Sequence, residues 1–266
     1  MTEYLARIGE TVTDIVAYVG ALASLIGRAV YYAVAGPFQG RPLRWRAVIS
    51  QATEAGVRAL PILSLITFFI GLILALQSGY ELRKLGALSY VASAVAISVT
   101  RELGPLITAI LVIGRSGSAF AAEIGTMRVT EEIDALETMA IEPVDFLVTP
   151  KLLAMILMMP CLTIWANGMG ILGGSLFGVT QADYTWARYM RSSLDALLLR
   201  DIGIGLIKSV MFGIAITAVG CYEGLSTTGG AEEIGRSTTQ AVVISIFAVI
   251  AVDLVFTAIF FFTSGR

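Results

Sequence analysis

The feature that most restricts this chain is a set of long runs without charge. Ala59 to Tyr80 holds 22 residues and no formal charge, and Leu152 to Ala182 is likewise uncharged. The hydrocarbon core of a bilayer is about 30 Å thick and is crossed by about 20 apolar helical residues. A run of that length needs lipid around it. In lipid, only a helix or a closed barrel satisfies its own backbone hydrogen bonds. Uninterrupted runs, rather than alternating ones, point to helices.

Three further segments follow the same pattern with isolated charges. Residues 87–122 are apolar apart from Arg101, Glu102 and Arg115, residues 202–222 carry only Lys208, and residues 239–263 carry only Asp253. The spans expected are therefore about 59–80, 87–122, 152–182, 202–222 and 239–263. The second exceeds what a bilayer needs, so it projects or tilts. Thr149-Pro150 suits the start of the third, with Thr as cap and Pro in the first turn. Asp183, Arg188, Arg191, Asp195, Arg200 and Asp201 suggest a wet loop, and residues 223–236 a short Gly/Thr/Glu loop. Composition agrees with this reading. Charged residues make up 14% of the chain, against about 25% in soluble domains, too few to coat a surface with water.

Residues 1–58 form a separate N-terminal region with six basic and four acidic residues. The uncharged stretch Ile15 to Gly27 has 13 residues, short for a span and suited to an interfacial helix. Gly36-Pro37 breaks it. Arg41, Arg44 and Arg46 around Trp45 suit the headgroup level. Glu3, Arg7, Glu10 and Asp14 interrupt the start, so it does not read as a cleaved signal. The fold class expected is all-α membrane protein: this interfacial helix, then a transmembrane domain over 59–266 with about five transmembrane helices. Five spans place the termini on opposite sides. Ten Lys/Arg against six then favour a cytoplasmic N-terminus.

Several functions are excluded early. Net charge is −2 and no basic run occurs, so nothing calls for nucleic acid. There is no histidine, which removes His metal sites and Ser-His-Asp chemistry. Cys161 and Cys221 lie in apolar runs and read as free thiols. No Walker A loop is present, so any ATP must be bound by another chain. Gly114-Arg115-Ser116-Gly117-Ser118 lacks the spacing of a nucleophile elbow.

Arg101, Glu102, Lys208 and Asp253 stand at membrane depth, where each costs about 2.5–3.5 kcal/mol. They face partners or a watery path. A Glu102–Lys208 pair is one expectation, and Asp253 is expected to pack or cap rather than to carry transport. Either a packing salt bridge or a substrate path accounts for them. Between the second and third spans, Val129, Ile133, Leu136 and Ala140 fall on one helical face, with Glu131, Glu132, Asp134 and Glu137 around the rest. An acidic face suits anionic headgroups poorly. A docking helix fits better, its apolar edge and Met127 and Met139 filling a partner's groove. The glycines of the third span, including Gly174 and Gly178 at G-x-x-x-G spacing, permit close helix contact.

These residues also carry a resemblance. Arg101-Glu102-Leu103-Gly104-Pro105, Gly114-Arg115-Ser116-Gly117-Ser118-Ala119, and Ala122 through Arg128 resemble the MlaE/YrbE permease family closely. So do Thr130 through Met139, Ile141-Glu142-Pro143, Gly173-Gly174-Ser175, Ile207-Lys208-Ser209 and Gly235 through Thr239. The similarity runs from about residue 45 to the C-terminus.

The resemblance implies a homodimeric, non-catalytic permease in the bacterial inner membrane, moving phospholipid or a related lipid. It implies a cytoplasmic ABC ATPase that binds ATP and Mg, and a periplasmic MCE-domain protein; some such systems add a STAS-domain protein. It places a cytoplasmic coupling helix at about 126–141, with Met127, Arg128, Glu131, Glu132, Ile133, Leu136 and Met139 toward the ATPase. It places Arg101, Glu102 and Lys208 on the substrate path, with Leu72, Leu76 and Tyr80 as apolar lining. No cofactor is expected in this chain. The rival reading is a secondary transporter of a hydrophobic substrate, driven by an ion gradient through Glu102 and Asp253. A third is a structural scaffold.

Overall fold

The computed structural model describes residues 2–39, 43–181 and 185–264. Every regular element among them is helical. Helix α1 spans Thr2–Ala35 and stops before Gly36-Pro37, because the residue before a proline is pushed out of the helical region. Helix α2 (Trp45–Ala55) and a tight turn lead into α3 (Leu60–Lys84), whose Pro61 occupies the first turn. Arg41, Ala182, Asp183 and Arg266, which entered the sequence reading, lie outside the described residues.

A long rod follows. It contains α4 (Val91–Ser98), α5 (Gly104–Val112) and α6 (Ser118–Val129), joined by wide π-turns at Val99–Leu103 and Ile113–Gly117. From Leu88 to Val129 it has 42 residues, about 63 Å at 1.5 Å per residue. The short α7 (Glu132–Thr138) and a third π-turn lead to α8 (Thr149–Gln181). Then come α9 (Trp186–Ala196), α10 (Leu199–Leu225) and α11 (Ala231–Ser264).

The five expected spans are all present, each somewhat longer than expected. By length and composition a sixth stretch, Val12–Ala35, also qualifies. The 13-residue estimate was short because Arg28 does not end the helix. The recorded partners of α1 nevertheless lie at one end of the bundle. Tyr18 donates to Glu223 at 2.7 Å, Arg28 pairs with Glu142 at 2.5 Å, and Thr149 reaches the Ala29 carbonyl at 3.4 Å. Those partners sit where α10 ends and α8 begins, so this part of α1 packs against that end of the bundle.

Two loops differ from the sequence reading. The expected wet loop contains the amphipathic α9, whose short apolar stripe is too brief to stand out among its charges. The 223–236 loop shrinks, because Glu223 still belongs to α10 and α11 begins at Ala231.

The tightest packing joins α3 to α8. Leu63, Thr67, Gly71, Ala75 and Gly79 recur every fourth residue and are all buried, a stripe of mainly small side chains that lets two backbones approach. Ser64 accepts a bond from Trp165 at 2.7 Å. Gly71 lies against Gly170, and Gly79 against Phe177, so the helices run parallel. A Cβ on Gly71 would stand 1.9 Å from the Gly170 carbonyl oxygen, and one on Gly173 the same distance from that of Phe68. Helix α10 packs close to the rod, Gly205 against the Thr100 carbonyl and Gly224 against that of Ala121.

Alanine at Gly71 or Gly173 is expected to destabilise the protein by about 1–3 kcal/mol or more, as overpacking does. Gly168 has no neighbour within 4 Å of its would-be Cβ, so Gly168→Ala should be neutral. Thermal unfolding in one detergent reads all three.

Candidate functional site

Pro105 lacks an N–H, and its ring would clash with the carbonyl four residues back, at Arg101. The helix answers with a π-turn: the Gly104 N–H bonds to Val99, five residues back rather than four. Such wide turns insert a residue and rotate the side chains around them. Arg101 and Glu102 fall inside this one.

The two side chains reach different parts of α10. Arg101 Nε lies 3.4 Å from Asp201 Oδ1, in the first turn of α10. Glu102 Oε2 lies 2.5 Å from Lys208 Nζ. The ammonium is fully buried and is surrounded. It donates to Thr257 Oγ1 at 2.8 Å and stands 2.9 Å from Asp253 Oδ1. The Thr257 hydroxyl in turn donates to Glu102 Oε1 at 3.3 Å. Asp253 Oδ1 has no aligned hydrogen bond, so its tie to Lys208 is chiefly electrostatic.

The expected Glu102–Lys208 pair is therefore present. Asp253 is a second carboxylate on the same ammonium, which ties α11 to α10, a packing contact of the kind expected for it. Asp253 and Thr257 are four apart and so share a helical face, though that spacing does not name the partner the face meets. Two cations face three carboxylates here, and the exposed members are Arg101 and Glu102, with side chains 40% and 39% accessible. Lys208 anchors the cluster from behind.

Leu72, Leu76 and Tyr80 are not brought to this cluster by any recorded contact. Leu72 packs with Ala75, Val95 and Phe177. Leu76 and Tyr80 are exposed on α3, with Lys84 Nζ 4.0 Å above the Tyr80 ring.

The other candidate region lies at the end where α6 meets α7. The single helix expected over 126–141 is two pieces. Glu131 takes φ 60° and Ala140 φ 57°, left-handed values that end one helix and the other. Met127 and Arg128 thus close α6, and Val129 and Ala140 leave the expected face. Arg128 pairs with Asp134 at 2.6 Å, and Thr130 donates to Glu132 at 3.1 Å, which braces the corner. Ile133 and Leu136 are buried in the chain's own core with Leu25, Ala29 and Val144. That apolar edge is already used, which corrects the groove-filling expectation for these two. Glu131, Glu132, Asp134, Glu137 and Met139 are exposed. Nearby, Lys151 is buried and donates to Glu123 at 2.6 Å.

This arrangement defines a multi-pass helical membrane protein with an ionic cluster between its spans. The sequence profile of the family described as Permease MlaE matches residues 48–259. A probable ABC transporter permease of Rickettsia bellii is 40% identical over 83% of this chain and 85% of its own length. A probable ABC transporter permease of Synechocystis sp. is 39% identical over 79% and 80%. The chloroplastic protein Trigalactosyldiacylglycerol 1 of Arabidopsis thaliana is 36% identical over 84% of this chain and 64% of its own. The chain belongs to the MlaE permease family, and it is a transport permease rather than an enzyme.

Removing the ammonium leaves two carboxylates facing each other. Lys208→Met is expected to cost about 3 kcal/mol, the lower end of the range for breaking a buried pair, since Glu102 is partly exposed. Adding Glu102→Gln and Asp253→Asn should restore most of it. Melting temperatures of the single and triple variants check this.

Proposed function

We propose that the chain is the permease subunit of an ATP-driven transporter of phospholipid or a related lipid. In this reading it is a homodimer in the bacterial inner membrane, residues 1–58 form an interfacial region, and 59–266 form the transport domain. The N-terminus is cytoplasmic, which places α7 on the cytoplasmic side. A separate ABC ATPase binds there, and an MCE-domain protein receives or supplies lipid on the periplasmic side; a STAS-domain protein is a further partner.

The observation that carries the reading is the ion cluster at membrane depth in a chain whose relatives are named ABC transporter permeases. One relative carries a glycolipid in its name, which supports lipid as cargo. The exposed Arg101 guanidinium suits a headgroup phosphate, and Glu102 suits a headgroup amine or hydroxyl. Lys208 holds Glu102 and Asp253 in place. The apolar residues of α3, Leu72, Leu76 and Tyr80, stand apart from that cluster and would line the path of the tails. ATP-driven closure of the ATPase would reach the spans through Met127, Arg128, Glu131, Glu132 and Met139. Ile133 and Leu136 would pass it to α1 and α8 from inside.

One observation favours the gradient-driven rival: Glu102 and Asp253 do meet. Yet an ammonium already lies between them and fills the place a transported cation would take.

In proteoliposomes with its ATPase, Glu102→Gln with Lys208→Gln should reduce lipid movement at least tenfold and leave the ATPase bound. Glu132→Lys with Met139→Glu should release the ATPase. Lipid movement that needs an ion gradient and ignores ATP would overturn the proposal in favour of the rival.

A further inference from the structure

A second cleft opens between α2 and the π-turn at Ile113–Gly117. Its volume is about 330 Å³, and Gln51, Glu54, Arg115, Ser116, Phe120 and Glu123 line it. That is the size of a small-molecule site, at the lower end of about 300–1,000 Å³. Arg115 stands about 20 Å along the rod from Arg101, at 1.5 Å per residue, so the cleft is separate from the ion cluster.

Three donors around it lack acceptors. Arg115 is exposed, and its hydrogen bond runs from Nη1 to the Arg58 carbonyl at 2.8 Å. No carboxylate among the described residues pairs with it. Ser116 is buried, with 4% of its surface accessible, yet its hydroxyl makes no hydrogen bond among the described residues. A helical serine in apolar surroundings commonly bonds back to the carbonyl four residues earlier, and Ser118 does so to Gly114 at 2.7 Å. Gln51 is half-buried, and its amide has no partner among the described residues either.

The acids of the cleft are already matched. Glu54 pairs with Arg58 at 3.1 Å, and Glu123 with the buried Lys151 at 2.6 Å. Lys151 Nζ stands 5.0 Å over the Phe120 ring, behind the cleft wall. Three cations therefore face two carboxylates, and the charge left over is that of Arg115. A guanidinium with hydroxyl and amide donors beside it is a phosphate-binding set.

Depth says where the phosphate comes from. Arg58, whose carbonyl Arg115 holds, immediately precedes the uncharged run from Ala59 to Tyr80. Arg115 is thus level with the membrane boundary, at the end of the rod nearer α7. Beside it a Cβ on Gly114 would meet nothing within 4 Å. About one turn further into the membrane, Ile110 is 43% exposed. Open apolar ground leads from the cleft into the acyl layer. We propose that this cleft binds the phosphate of a phospholipid from the adjoining leaflet. Arg115 supplies the cation, Ser116 and Gln51 supply further donors, and the tails run past Gly114 and Ile110. The site needs only a surrounding membrane, so it stands or falls apart from the transport reading.

The test uses the full chain in dodecyl maltoside and a phosphatidylcholine carrying a diazirine next to its phosphate. After irradiation, peptide mass spectrometry should find adducts on residues 51–55 and 115–120. Losing a charge-assisted bond in Arg115→Gln should lower their yield about tenfold or more. Ser116→Ala, which removes only a hydroxyl, should lower it severalfold, and Arg101→Gln should leave it unchanged. Labelling should survive millimolar inorganic phosphate. Full yield in both Arg115→Gln and Ser116→Ala would overturn the proposal. Equal yield from a diacylglycerol bearing the same diazirine would also overturn it, because apolar contact alone would then account for binding. Displacement by inorganic phosphate would overturn the lipid source and assign the cleft to free phosphate.

Discussion

An ammonium group with no exposed surface, Lys208, sets the terms on which three helices meet. A charge at membrane depth must be compensated on the spot, since no water is there to do it. Glu102 comes from the rod, and Asp253 and Thr257 come from α11. The three elements are thereby held in one register around a single atom. Helix α10 can carry its lysine there because Gly205 lets it close on the Thr100 carbonyl.

Backbone chemistry prepares that meeting. Pro105 forbids the ordinary hydrogen-bond pattern before it, and the π-turn at Val99–Leu103 absorbs the conflict inside the membrane without leaving the helix. The same solution recurs before Pro150, where the Thr149 N–H bonds to Val144. A second device is the small-residue stripe of α3, which brings two backbones together where lipid supplies no hydrophobic drive to do so. Wide turns and close backbone contacts therefore work beside the chain's own apolar core.

The two ends of the bundle are built differently. At one end, α1 and α7 share buried Leu25, Ile133 and Leu136, so the acidic surface of α7 is backed by rigid packing rather than left as a free loop. A push on α7 would be felt by α1 and by the start of α8. At the other end, α9 is moored by Tyr189 in a glycine notch and by Ser193 against Ala92, and its Trp186 and Leu194 are exposed.

The sequence by itself determined that this is a helical membrane protein and roughly where its spans lie. Length and absence of charge are local properties that lipid reads directly, segment by segment. It also marked Arg101, Glu102 and Lys208, because an ionisable residue in an apolar run is conspicuous without any fold. Only the tertiary structure decided which charges pair. Asp253 joins Lys208 from 45 positions away, and no local pattern distinguishes that from a capping role. Only it showed that Ile133 and Leu136 face inward, since helical periodicity says that side chains share a face but not what the face meets. The left-handed turn at Glu131 likewise escaped the apolar pattern, which continues across it while the backbone does not. α9 was hidden for a related reason: its apolar stripe is short and interleaved with arginines. It becomes legible as a packed amphipathic helix only once Tyr189 is seen in the notch between Gly174 and Gly178, because that contact fixes which side of the helix faces the bundle.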